Sequence, residues 1–156
     1  MSTERYPIIE SVRERDIDLL ILEELYARSG FDKLLFDSVS KQDLDFIDAY
    51  RSVVFGGLGE TDIEVHCRSN KDEELFYILI ENKIYADFQD KQYERYTKRA
   101  DLIESKNINT AIVLIAPLSY IKNQSEFTYT LSYESILEWF NLQENQRSWY
   151  KKELLR

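Results

Sequence analysis

The sequence predicts an α/β fold, a mixed β-sheet flanked by helices on both faces, in a single domain over residues 1–156. Three observations carry that expectation. Apolar residues recur at helical spacing between Asp16 and Arg28. Two strand-like segments, Glu60 to Arg68 and Glu74 to Lys83, are joined only by the polar Ser69-Asn70-Lys71-Asp72. A continuous apolar run, Thr110 to Ala116, follows a long polar stretch and closes on Pro117. A period of 3.6, a period of two and an unbroken apolar run mark helix, half-buried strand and central strand respectively.

In the first helix Ile17, Leu20, Ile21, Glu24 and Leu25 share one face. Leu19, Leu22 and Tyr26 occupy a second, which predicts cover on two sides. Ser29-Gly30 ends the helix. Phe31 to Phe46 alternates apolar and charged residues without a clean period and reads as a short helix and a loop. Tyr50 to Phe55 reads as a strand, and Gly56-Gly57-Leu58-Gly59 as a turn, since it precedes a strand and lacks the Lys-Ser/Thr of a phosphate loop. Along Glu60 to Arg68, Ile63, Val65 and Cys67 face one way and Asp62, Glu64 and His66 the other. With Glu74 to Lys83 this strand forms an antiparallel hairpin. Asp87 to Lys106 reads as a long polar helix with Phe88, Gln92 or Tyr93, Tyr96 and Ile103 on its inner side. Phe127 to Leu131 reads as a further strand. Ser132 then caps a helix through Ile136, Leu137 and Phe140.

Composition narrows the chemistry. With one cysteine, Cys67, there is no internal disulfide and no zinc cluster, and one histidine, His66, leaves no histidine-rich metal site. The apolar runs fall short of the roughly 18 residues of a membrane span. The N-terminus lacks the pattern of a signal peptide, so the expected location is cytoplasmic. Net charge is −9, which opposes tight, non-specific binding of nucleic acid. The charge is uneven, however. Residues 1–50 hold 12 acidic and 6 basic side chains, whereas residues 83–99 hold five basic and three acidic.

That locally basic segment begins at Glu81-Asn82-Lys83. A Glu-x-Lys triplet alone carries little, and Glu104-Ser105-Lys106 repeats it inside a predicted helix. The first triplet differs because it ends the apolar run Phe76-Tyr77-Ile78-Leu79-Ile80, where a carboxylate and an ammonium are costly unless partnered. The predicted hairpin brings Asp62 to the same end of the ladder. Two carboxylates so close repel unless a cation lies between them, and hard oxygen ligands suit Mg²⁺ or Mn²⁺. Lys83, two residues past Glu81, emerges on the same face.

At Asp62, Glu81 and Lys83 the chain resembles the PD-(D/E)xK nuclease superfamily, with its αβββαβ restriction-endonuclease-like core spanning roughly residues 14 to 116. Thr61 stands where the motif's name places a proline. The resemblance implies a metal held by Asp62, Glu81 and the backbone carbonyl of Asn82, with Lys83 positioning the attacking water. Gln92-Tyr93-Glu94-Arg95-Tyr96 is similar to the Q-x-x-x-Y motif of the RecB-like branch, in which Gln92 orients a ligand or phosphate and Tyr96 braces it. A first-helix glutamate, Glu24 or Glu23, is implied as an aid to the metal. The implied activity is hydrolysis of phosphodiesters, foremost in DNA, within a bacterial defence or repair system. The alternative is a catalytically silent nuclease-like module that binds nucleic acid or a protein partner; in either case a homo-oligomer or a protein partner in a larger system is a further expectation.

Overall fold

The computed structural model describes residues 12–84, 91–144 and 146–155. Helix α1, Glu14–Tyr26, turns its Ile17, Leu20, Ile21 and Leu25 into the core and leaves Leu19 and Tyr26 about half exposed. The expected second side is therefore covered only in part: Leu22 packs half-buried against the core, and Tyr26 meets the sheet through its ring edge, 5.4 Å from the centre of Phe46, and through its hydroxyl, which donates to the Ala49 carbonyl at 2.7 Å. Positive φ at Arg28 and Gly30 turns the chain into α2, Phe31–Ser38.

Strand β1, Leu44–Val54, starts six residues earlier than its periodicity suggests. Leu44, Phe46 and Ala49 are buried, and a bulge between Phe46 and Asp48 inserts one residue. An extra residue reverses the in–out phase, so a period-two pattern cannot be followed through it. After a 3-10 turn at Gly56–Leu58, β2, Glu60–Ser69, and β3, Leu75–Asn82, form the expected hairpin. Helix α3, Gln92–Glu104, matches the later part of the predicted long helix. Phe88 and the rest of 85–90 lie outside the described residues. Strand β4, Asn109–Ala116, is followed by the short α4, Leu118–Lys122, then by β5, Tyr129–Ser132, and α5, Tyr133–Asn141. The Ser132 hydroxyl caps α5 by accepting from the Ser135 N–H at 3.0 Å. A last helix, α6, Gln146–Leu155, occupies a stretch whose polarity masks it in the sequence.

The described residues form a five-stranded sheet in the order β1-β2-β3-β4-β5. The first three strands are antiparallel, and β4 and β5 run parallel to β3. One face packs Ile63, Val65, Ile78, Ile80, Val113 and Ile115 against α1, α2 and α5. On the other, α3 covers Leu79, with Tyr96 and Ile103 as its buried contacts. This is a mixed sheet flanked by helices, a restriction-endonuclease-like architecture. No described helix is long and apolar enough to cross a membrane.

Candidate active site

Strand register assembles the site. Ile63 pairs with Ile80, and both point into the α1 core. The next position outward therefore sets Asp62 opposite Glu81, with both carboxylates on the α3 face, because side chains alternate along a strand. Asp62 and Glu81 are in hydrogen-bonding contact with each other. Burial pushes both carboxyls above their usual range, and the Asp62 charge raises Glu81 further. The Asn82 N–H, donating to Asp62 Oδ2 at 2.8 Å, offsets part of the cost of burying that carboxylate.

Glu81 is held by three further groups. The Gln92 amide donates to Oε1 at 2.6 Å, the Lys83 ammonium lies 3.5 Å from the same oxygen, and the Tyr96 hydroxyl donates to Oε2. Tyr96 is fully buried and also accepts from the Asp62 N–H at 3.4 Å. Gln92 and Tyr96 meet one carboxylate because residues four apart on a helix stack along one face. Asp62, Glu81, Lys83, Gln92 and Tyr96 are thus brought together at one strand end.

One expectation about a flanking residue is corrected. Glu24 does not reach the cluster. It is fully buried near the other end of α1, accepting from Lys151 and from Arg147 (3.1 Å), both of α6, and from the Ser29 hydroxyl (2.6 Å). Burial opposes ionisation there, but these donors hold the Glu24 carboxyl below its usual range. Glu23, about half exposed, pairs with the same Arg147 and Lys151. The α1 acids whose charge bears on Asp62 are Glu14 and Asp18, in the first turns of the helix. Arg99, one of the basic residues that follow the motif strand, is turned inwards with 2% exposure.

The α1 face behind the pair carries a polar network that periodicity missed. The Asn82 amide donates to the Glu14 carbonyl and to Asp18 Oδ1, each at 2.9 Å, and its oxygen accepts from the Tyr133 hydroxyl. Asp18 is pushed up to about 7, chiefly by burial. Its signal in the sequence is a carboxylate between Ile17 and Ile21 on an otherwise apolar stripe. Beyond Asp62 on the α3 face, His66 lies flat on Tyr77, with 3.7 Å between ring centroids. Its two nitrogens sit 2.8 Å from Asp48 and Glu64. A concavity of about 490 Å³, lined by Asp32, Phe36, Leu44 and neighbours, lies at the opposite end of the sheet from the carboxylate pair.

A family model described as the PD-(D/E)XK nuclease superfamily matches residues 60–155. The chain belongs to the PD-(D/E)XK nuclease superfamily. The match begins at β2 and runs through the motif strand and α3 to α6, so it includes every element that contributes to the Glu81 cluster. No curated protein and no solved structure matches the chain. Superfamily members typically use divalent metals, and the Asp62–Glu81 pair fits one by its chemistry. Two buried carboxylates that face each other are ligands whose mutual repulsion a hard cation relieves. Among the described residues no group of three or more His, Cys, Asp or Glu side chains is placed to hold a metal ion. A cation here would draw its other ligands from backbone oxygen and water, as Mg²⁺ commonly does.

Proposed function

We propose that the protein is a metal-dependent nuclease that hydrolyses phosphodiester bonds, with DNA as its foremost substrate. The observation that carries this reading is the convergence of Glu81 with Asp62, Lys83, Gln92 and Tyr96 at one strand end. A purely structural strand terminus has no need of two adjacent buried carboxylates beside an ammonium. Asp62 and Glu81, with the Asn82 carbonyl, are the proposed ligands for Mg²⁺ or Mn²⁺. Bound there, the cation would supply Lewis-acid neutralisation of phosphate charge. Lys83 would hold the attacking water and offset charge on a non-bridging oxygen. Gln92 fixes the Glu81 carboxylate from one side and Tyr96 from the other, the arrangement that supports a RecB-like assignment. We also read residues 1–156 as one domain acting within a bacterial defence or repair system.

The test is incubation with linear and circular DNA in Mg²⁺, Mn²⁺ or EDTA, read on a gel. Cleavage of wild type that disappears with EDTA and with Asp62→Ala is expected. The net charge of −9 favours one second reading, a nuclease-like module that binds a protein partner without cutting. The two differ in thermal stabilisation by Mn²⁺, since a ligand stabilises only a fold that binds it. A module without a working site would melt at the same temperature with or without the cation.

A further inference from the structure

The superfamily's name puts a proline before the first aspartate, whereas this chain has Thr61. Proline would restrict the backbone there by its ring. Thr61 is restrained differently. It is fully buried, and its hydroxyl accepts from Arg99 Nε at 3.0 Å. The same guanidinium donates through Nη1 to the Leu58 carbonyl, in the 3-10 turn that leads into β2. Its carbon lies 4.1 Å from the centre of the Tyr96 ring. Tyr96 in turn donates to Glu81 and accepts from the Asp62 N–H. Gly59 makes room for this arrangement, since a Cβ there would stand 3.1 Å from Arg99 Nη1, and its φ of +85° disfavours a side chain in any case.

One buried cation therefore joins the residue next to Asp62 to the residue that holds Glu81. Among the described residues its partners are a hydroxyl, a carbonyl and an aromatic face. Burying a guanidinium on such partners is costly, and an apolar side chain would fill the space more cheaply. What an apolar residue cannot do is fix β2 and α3 to each other by directed hydrogen bonds.

We propose that Arg99 and Thr61 are positioning residues that set the separation of Asp62 from Glu81, and hence the fit of the pair to its cation. The inference rests on the nuclease reading and deepens it. The discriminating variant is Thr61→Val, which keeps shape and removes only the acceptor, with Thr61→Ser as the conservative control. Mn²⁺ affinity by calorimetry, kcat and KM for DNA cleavage, and melting temperature are measured on the full chain. Thr61→Val is expected to lose about tenfold in Mn²⁺ affinity and in kcat while still melting cooperatively, an effect of the size seen for groups that orient metal ligands. Thr61→Ser should stay within about twofold of wild type, because the hydroxyl is retained. Arg99→Lys, which keeps the charge but loses the planar fork, should show the same loss as Thr61→Val and serves if the latter does not fold. Variants that bind Mn²⁺ and cleave as wild type does, differing only in melting temperature, would reduce Arg99 to a structural role and leave the nuclease reading standing. A wild-type protein that neither binds Mn²⁺ nor cleaves would overturn the nuclease reading and this inference with it.

Discussion

Lys83 sits 3.5 Å from Glu81 Oε1 and is almost wholly buried, so its ammonium serves either the fold or the chemistry of the site. The two roles separate in one variant. Lys83→Ala is expected to abolish cleavage while retaining Mn²⁺ binding, since the proposed oxygen ligands remain. A Lys83→Ala protein that cuts DNA at the wild-type rate would place the chemistry elsewhere. Gln92 makes a subtler case. Its amide donates to a carboxylate and not, in this arrangement, to substrate. Gln92→Ala should reduce cleavage by roughly ten- to a hundredfold, the range for groups that orient metal ligands, with little change in melting temperature. Early melting, or wild-type cleavage, would remove the support for the RecB-like assignment. Residues of this kind were legible because period two aligns Glu81 with Lys83 and helical spacing aligns Gln92 with Tyr96. Arg99 was not. Nothing in a run of basic residues tells which one turns inwards, because its partners Thr61 and Leu58 are about forty positions away and meet it only through the packing of α3 on β2. Asn82 shows the same limit from another side. Its position in the motif marks its backbone, whereas its amide is spent on α1 and Tyr133.

At the scale of elements, the hairpin, the central strand and the second half of β1 were legible from local pattern, and the first half of β1 and α6 were not. A bulge broke the alternation of β1, and α6 buries charge instead of an apolar stripe. That second failure explains the misplacement of Glu24. A glutamate on the apolar face of the first helix suggests a site, but here it receives Lys151, itself only 3% exposed, and Arg147. The pair docks α6 on α1. Glu24→Ala would leave the buried Lys151 ammonium with the half-exposed Glu23, 3.0 Å away, as its carboxylate partner, a change that costs at most about 3–5 kcal/mol. For a chain of this size that corresponds to a fall of up to roughly 10 °C in melting temperature. Mn²⁺ affinity should be unchanged in whatever fraction remains folded, because the Asp62–Glu81 pair draws on Glu14 and Asp18 and not on Glu24. A stable Glu24→Ala protein with weakened Mn²⁺ binding would restore Glu24 to the site.

For the whole molecule, carboxyl groups of opposite tendency predict how stability depends on pH. Glu81 is raised from 4.5 to about 8 and Asp18 from 3.8 to about 7, each chiefly by burial. A group raised by folding favours the folded state fully below its unfolded pKa, and this contribution is lost as pH climbs through the folded value. Glu24 is lowered and behaves in the opposite sense, losing its contribution only as pH falls below the ordinary carboxylate range. Between pH 5 and 8.5 Glu24 is therefore constant, and Glu81 and Asp18 control the slope. Without a divalent cation the melting temperature should fall across that interval. Self-repulsion from the net charge of −9 acts in the same direction, so a control is needed. Glu81→Gln supplies it, since it removes one titrating group and leaves the rest of the charge to vary as before. Its melting temperature should depend less steeply on pH than that of wild type. A cation competes with protons for the raised carboxyls, so Mn²⁺ should raise the melting temperature more at pH 8.5 than at pH 5.5, opposing the fall. Equal increments at both pH values, or a Glu81→Gln slope no shallower than that of wild type, would show that the buried pair is not what couples this fold to protons and metal.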